Sequence, residues 1–179
     1  MTLMGIIHKI MNQLDDIEFG FKDKNGNNLM SDKHWENDFP NFYYLLSPAE
    51  LLETKCGVCW DQVELERKLF NDSHIDCDTY FIYIDDHANL PSHTFLTFQL
   101  DGKFYWFEHS WYDMKGIHAY DSIEALLTDV KAKFLQSRED EIDPNSNYDT
   151  FIYKYRQPKY HLSYNEFYDY IKTQKRISI

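Results

Sequence analysis

A cysteine follows a glycine at the predicted start of a helix. Cys59 lies two residues after Gly57, and apolar residues at helical spacing follow it. Unpaired N–H groups and the helix dipole stabilise negative charge at a helix N-terminus, so a thiol placed there has its thiolate favoured. Cys59 is therefore a candidate nucleophile, and a nucleophilic thiol needs a nearby base to accept its proton.

A β-hairpin is predicted downstream of this helix. Asp101-Gly102 separates two runs rich in aromatic and β-branched residues, Ser92 to Leu100 and Lys103 to Glu108. An Asp-Gly pair between such runs is a strong signal for a two-residue hairpin turn. With that turn, Leu100 faces Lys103 and the register of the whole hairpin is set.

This register brings a histidine and a carboxylate together. Phe95 faces Glu108, and Glu108 becomes the diagonal neighbour of His93 on the same face, with about 7–8 Å between the backbones. A three-residue loop would shift the register by one and separate the two side chains. The histidine can take the thiol proton and return it to the leaving group, while the carboxylate orients the imidazole. Cys59, His93 and Glu108 are thus the predicted catalytic residues, with Asp113 as the alternative acid.

These segments resemble a known family. Gly57 to Asp61 is similar to the nucleophile motif of the transglutaminase-like cysteine enzymes, which share the papain-like fold. His93 to Phe95 matches the strand that begins with the family's histidine, and Tyr105 to Glu108 ends where its acid is expected. The resemblance covers roughly Ser47 to Ser110. The family usually has aspartate and then proline at the acid, and often tryptophan where this chain has Phe95.

The resemblance implies an α+β fold in which the helix carrying Cys59 packs on an antiparallel sheet containing His93 and Glu108. It also implies acyl transfer or hydrolysis at an amide or isopeptide bond, on a protein or peptide substrate. The sequence has no calcium-loop pattern of regularly spaced carboxylates and glycine, which disfavours calcium-dependent cross-linking, and no cofactor or metal is expected. The family includes proteases, deamidases, peptide N-glycanases and cross-linking acyltransferases, and the sequence does not select among them. The expected oxyanion donor is the backbone N–H of Cys59, and a second donor is not identified.

Other interpretations of the cysteines remain open. Cys56-x-x-Cys59 followed by His74-x-x-Cys77 has zinc-site spacing. A three-turn helix starting at Cys59 would place the second pair roughly 15–20 Å away, which disfavours this structural metal module. A redox pair of Cys56 and Cys59 is disfavoured because a helix, and not a strand, is predicted before it. A non-catalytic family member that binds a partner is a third hypothesis.

Composition excludes some functions. The chain has 179 residues, which suits one domain, residues 1–179, with a helical part over about 1–70, a sheet over about 79–155 and a helix over about 163–174. A net charge of -12 without a dense basic stretch disfavours nucleic-acid binding. We expect no membrane span and no signal peptide, and three cysteines cannot form a closed disulfide framework, so a cytoplasmic location is expected.

The remaining elements follow from periodicity and capping residues. A first helix is predicted over Leu3 to Leu14, and a short helix starts at Ser47 and ends near Lys55, where Gly57 permits a turn. The outer, polar side of the Cys59 helix is predicted to carry these residues: Asp61, Glu64, Arg67 and Lys68. The other predicted elements are a strand over Thr79 to Ile84, a helix opened by Asp121 to Glu124, a last strand over Tyr148 to Tyr155, and a helix capped by Ser163.

Overall fold

The structure is a computed structural model that describes residues 2–31, 35–85, 90–142, 145 and 147–179. Parts of two predicted loops, Asp85 to Pro91 and Glu139 to Asn147, lie outside the described residues. His34 and His87, which the sequence indicates to be structural or solvated, also lie outside them.

The part of the chain that the structure describes contains six α-helices and six β-strands. The helices are α1 Leu3–Leu14, α2 Trp35–Phe42, α3 Pro48–Thr54, α4 Cys59–Asp72, α5 Ile123–Ser137 and α6 Tyr164–Lys172. The strands are β1 Cys77–Asp85, β2 Ser92–Leu100, β3 Lys103–Glu108, β4 Gly116–Tyr120, β5 Asp149–Tyr155 and β6 Lys175–Ile177. They form one antiparallel sheet in the order β4-β3-β2-β1-β5-β6. The predicted α+β class is confirmed.

The β2–β3 hairpin has the predicted register. Leu100 pairs with Lys103 and Leu96 pairs with Phe107. The turn residues Asp101 and Gly102 have φ angles of 51° and 78°, so both adopt the left-handed conformation that a type I′ turn requires. The turn chemistry therefore sets which side chains of the two strands share a face.

Helices cover both faces of the sheet. On one face α4 packs on β1 and β2, and the ring of Phe70 lies 5.5 Å from Phe98 and 5.2 Å from Phe107. On the other face the apolar stripe of α5 packs with Phe95 and Trp106. α1 and α6 add to the core around α4. Helix α4 is therefore enclosed between the sheet and other helices.

This enclosure overturns one prediction. Asp61, Glu64 and Arg67 were expected on a polar outer side of α4, but all three are buried, and only Lys68 of that set is exposed. Asp61 accepts a hydrogen bond from the Tyr43 hydroxyl at 2.8 Å, and the Arg67 guanidinium donates to Glu64 at 3.0 Å. The partners come partly from α4 itself and partly from other segments, and they satisfy the hydrogen-bonding groups of the buried polar side.

Two strands were not anticipated. β4 follows the short turn after β3 and pairs with it, Phe107 lying opposite Ile117. β5 is not the last strand, because β6 follows α6 and pairs with β5. Both are short, at 5 and 3 residues, so their hydrophobic alternation is too brief to read from sequence. None of the described helices is long and apolar enough to cross a membrane.

Candidate active site

Cys59 is the first residue of α4, as predicted. Its neighbour Val58 is the N-cap and makes no side-chain cap, so the thiol lies at an N-terminus that no cap hydroxyl occupies. The Asp61 carboxylate accepts a hydrogen bond from the Val58 N–H at 2.9 Å. The thiol is therefore placed where the helix favours negative charge.

Gly57 has a different role from the predicted one. Lys55, with φ at 53°, makes the left-handed turn that ends α3, and Gly57 is not among the residues of positive φ. A Cβ on Gly57 would lie 2.5 Å from Leu51 Cδ1 and 2.9 Å from Asp61 Cβ. The glycine allows α3 and the start of α4 to approach closely.

His93 and Glu108 form a direct pair. His93 Nε2 lies 2.7 Å from Glu108 Oε2, as the hairpin register predicted. His93 is the second residue of β2 and Glu108 the last of β3, so the pair lies at the end of the hairpin remote from its turn. Because Nε2 is engaged, Nδ1 is the imidazole nitrogen left for another partner.

Four donors hold the Glu108 carboxylate. Besides His93, the indole of Trp106 donates to Oε2 at 3.2 Å. The Ser110 hydroxyl at 3.2 Å and the Trp111 backbone N–H at 2.8 Å donate to Oε1. Asp113, the predicted alternative acid, is exposed in a short 3-10 turn, and it is Glu108 that contacts His93.

The thiol of Cys59 completes the group. Burial lowers the pKa of His93, but the Glu108 charge and hydrogen bonds to Cys59 and Glu108 outweigh it and raise that pKa to about 10. The imidazole is therefore in hydrogen-bonding reach of the thiol and favours its protonated form. Cys59 belongs to the core under α4, whereas Phe95, the neighbour of His93 on the same face of β2, packs under α5.

The three residues are enclosed. Their exposed fractions are 7% for Cys59, 5% for His93 and 2% for Glu108. Electrostatic interactions are stronger in such an environment than in water. Charges on His93 and Glu108 are thus little screened by solvent, and only a small part of the Cys59 thiol is open to a substrate.

The other two cysteines have a contrasting environment. Burial, together with the charge of Glu18, raises the pKa of Cys56 to about 11. Burial also raises the pKa of Cys77 to about 12. Both thiols therefore stay protonated near neutral pH and are poor nucleophiles.

The zinc-site residues do not form a metal-binding group. Cys59 begins α4 and Cys77 begins β1, with the whole 14-residue helix between them. Among the described residues, no group of three or more His, Cys, Asp or Glu side chains is arranged to hold a metal ion. Cys56, Cys59, His74 and Cys77 are all described, so the structure does not bring them together.

Three buried polar residues near the site were missed from the sequence. Gln62 donates from Nε2 to the Gly57 carbonyl at 2.9 Å, and its Oε1 lies 2.8 Å from His109 Nδ1. Glu66 lies two turns after Cys59, and burial and then the Glu108 charge raise its pKa well above the usual range. Gln62 and Glu66 follow Cys59 at i+3 and i+7 and so share its helix face, and His109 directly follows Glu108. This spacing was the one sequence signal that could have placed these residues near the site.

Comparison of the sequence with protein-family models and with curated proteins gave no match. The functional interpretation therefore depends on the site geometry and on the resemblance of the motifs.

Proposed function

We propose that this chain is a cysteine-dependent enzyme of transglutaminase-like type, with a papain-like arrangement of helix and sheet, that transfers or hydrolyses acyl groups. The observation that carries the proposal is the position of His93. Its imidazole lies 2.7 Å from the Glu108 carboxylate and within hydrogen-bonding reach of the Cys59 thiol at a helix N-terminus. This order of groups is the one that activates a thiol nucleophile.

In the first step, the Cys59 thiolate attacks the carbonyl carbon of an amide or isopeptide bond and forms a tetrahedral oxyanion. The C–N bond then breaks, and the leaving amine takes the proton from the His93 imidazolium. A thioester on Cys59 remains. Throughout, Glu108 holds the imidazole orientation and stabilises its positive charge.

In the second step, water or an amine attacks the thioester. His93 accepts the proton of the attacking group, and Cys59 leaves as the thiolate. The product is an acid when water attacks and a new amide when an amine attacks. The Cys59 backbone N–H, at the first position of α4, is the proposed donor to the oxyanion in both steps.

Protein or peptide substrates fit this chemistry, because amide and isopeptide bonds are their characteristic linkages. The predicted cytoplasmic location is consistent with three free cysteines, which need a reducing environment to stay reduced. The acceptor, water or an amine, is a question for substrate assays.

Alkylation of the three cysteines tests the proposal. The rate of reaction with iodoacetamide is measured from pH 4 to 9 in the wild type and in His93→Ala, and peptide mapping identifies the modified thiol. We expect Cys59 to react well below the thiol reference pKa of about 8.5, and to lose this reactivity in His93→Ala. Cys56 and Cys77, whose pKa values are raised, serve as internal controls.

A Glu108→Gln variant and the matched control Asp113→Asn then test the acid. Glu108→Gln should lower the low-pH reactivity of Cys59, and Asp113→Asn should leave it unchanged. Wild-type Cys59 that reacts no faster than an ordinary thiol at pH 6 would exclude the proposed mechanism.

A further inference from the structure

The peptide group between Gly57 and Val58, one residue before the nucleophile, is held by hydrogen bonds at both its carbonyl and its N–H. Gln62 donates from Nε2 to the Gly57 carbonyl at 2.9 Å. The N–H of Val58, in the same peptide group, donates to Asp61 Oδ2 at 2.9 Å. Rotation of this peptide would break both bonds, so its plane is fixed. The Cys59 N–H belongs to the following peptide group, and the Val58 carbonyl of that group accepts the backbone N–H groups of Asp61 and Gln62, each at 3.0 Å.

His109 sets the orientation of the Gln62 amide. Because Nε2 of Gln62 donates to Gly57, its Oε1 is the atom that faces His109 Nδ1 at 2.8 Å. An amide oxygen is an acceptor, so Nδ1 of His109 carries the proton and donates. Gln62 and His109 are both buried, and neither can exchange this bond for one to solvent.

The far side of the His109 ring faces the Asp15 carboxylate. His109 Nε2 is buried without a hydrogen-bond partner and lies 3.4 Å from Asp15 Oδ1. Lys115 forms an ion pair with the same Asp15 carboxylate. Burial, and then the Lys115 charge, lower the pKa of His109 and outweigh the Asp15 carboxylate, which raises it, so the neutral ring is favoured.

We infer that Gln62 and His109 are positioning residues that hold the Cys59 backbone N–H in the direction needed to stabilise the oxyanion. The chain of contacts runs from His109 to Gln62, then to the Gly57–Val58 peptide and Cys59. His109 occupies the position where the family that this chain resembles usually has proline, which has no side-chain donor. The inference rests on the proposed function, since it assigns a role in the same reaction.

Two reactions of the Cys59 thiol distinguish a role in positioning the oxyanion donor from a role in activating the thiol. Alkylation by iodoacetamide needs the thiolate but forms no oxyanion. Acylation by 4-nitrophenyl acetate needs the thiolate and also passes through a tetrahedral oxyanion. The ratio of the two rate constants for Cys59 therefore measures oxyanion stabilisation, and no natural substrate is required.

The variants are Gln62→Met and His109→Leu, which remove the donors, and His109→Asn, whose amide can donate from nearly the position of Nδ1. Gln136→Met, at an exposed position of α5, is the matched control. Near-ultraviolet circular dichroism confirms that each variant is folded. We expect the acylation rate of Gln62→Met and His109→Leu to fall by about 10–100-fold, less than for loss of a whole donor. The alkylation rate should stay within about 2-fold, and His109→Asn should recover most of the acylation.

Three results would overturn the inference. Acylation at the wild-type rate in both donor-free variants would show that positioning is not needed. Equal losses in alkylation and acylation would assign the two residues to thiol activation or to stability instead. If wild-type Cys59 is neither alkylated at low pH nor acylated, the proposed function itself fails. This outcome differs from failure of the inference because it is seen in the wild type, before any variant is made.

Discussion

Helices α4 and α5 pack on opposite faces of one sheet, yet they do so in different ways. α5 buries a single apolar stripe of Leu126, Leu127, Val130 and Phe134, as its periodicity predicts. α4 is buried nearly all round, including its charged residues Asp61, Glu64, Glu66 and Arg67. Buried charges cost free energy unless they are paired, so α4 depends on partners from other segments in a way that α5 does not.

The N-termini of the helices show the same difference. Four helices begin after a Ser or Thr whose hydroxyl accepts an N–H of the first turn, namely Thr2, Ser47, Ser122 and Ser163. α4 begins after Val58, which has no such group. α5 therefore has a hydroxyl cap at its N-terminus, whereas the start of α4 carries the Cys59 thiol and the Asp61 carboxylate that accepts the Val58 N–H.

The largest expected difference between the two helices concerns their ion pairs. Arg67→Met leaves Glu64 buried without its ionic partner, with the Tyr155 hydroxyl as a remaining donor, and should destabilise the protein by about 3–5 kcal/mol. Lys133→Met in α5 removes a partly exposed pair with Asp129 and should cost less than about 1 kcal/mol. Urea unfolding of both variants measures the two values. Similar losses would show that burial does not distinguish the helices.

A smaller difference in stability is expected for substitutions two residues before the start of each helix. Gly57→Ala places a methyl group against Leu51 and Asp61 and should cost about 1–3 kcal/mol through overpacking. The residue at the same position before α5 is Asp121, whose side chain is exposed, and Asp121→Ala should stay within about 0.5 kcal/mol. Thermal unfolding followed by circular dichroism compares them. An unchanged melting temperature in Gly57→Ala would contradict the steric argument.

The pH dependence of stability should separate the His93–Glu108 pair from the ion pair of α5. The pKa of His93 is raised to about 10 in the folded state, so its contribution is full below about 6.5 and is lost as the pH rises toward 10. The pKa of Asp129 is lowered because bonds to Lys133 and Tyr120 outweigh its burial, so its contribution is lost in acid instead. Urea unfolding from pH 6.5 to 10 should show a loss of at least about 1 kcal/mol in the wild type. His93→Gln should lack that part of the loss, and identical profiles would contradict the raised pKa.

The smallest effect is expected at the α5 cap. Ser122→Ala removes the bond from the Ala125 N–H to the hydroxyl and should cost about 1 kcal/mol. The acylation rate of Cys59 should not change, because the bond that is removed lies within the first turn of α5. Urea unfolding and the 4-nitrophenyl acetate assay test the two statements. A loss of acylation in this folded variant would mean that both helices contribute to the site.

Much of this arrangement could be predicted from local sequence signals. Asp101-Gly102 gave the hairpin register, and that register gave the contact between His93 and Glu108. The capping residues Ser47 and Ser163 gave the starts of α3 and α6. These predictions succeeded because each depends on a few neighbouring residues, with a turn or cap whose geometry is fixed.

The burial of polar residues could not be predicted in this way. Arg67 donates to Thr79 as well as to Glu64, and His109 contacts Gln62 of α4 from the segment just after β3. A charge at helical spacing indicates a solvated side unless its distant partner is known. The role proposed for His109 was hidden for the same reason, since its contacts join segments that are far apart in the chain.

The hairpin also has a consequence for the order of folding. His93 and Glu108 are 15 residues apart and meet through one tight turn, whereas β1 and β5 join residues as distant as Thr79 and Tyr155. Local contacts form sooner than distant ones, because less chain entropy is lost in closing a short loop. We expect the imidazole–carboxylate pair to form early and the thiol to join it only when α4 docks. An incomplete chain would then carry an ordinary cysteine, and reactivity at Cys59 would mark the end of folding.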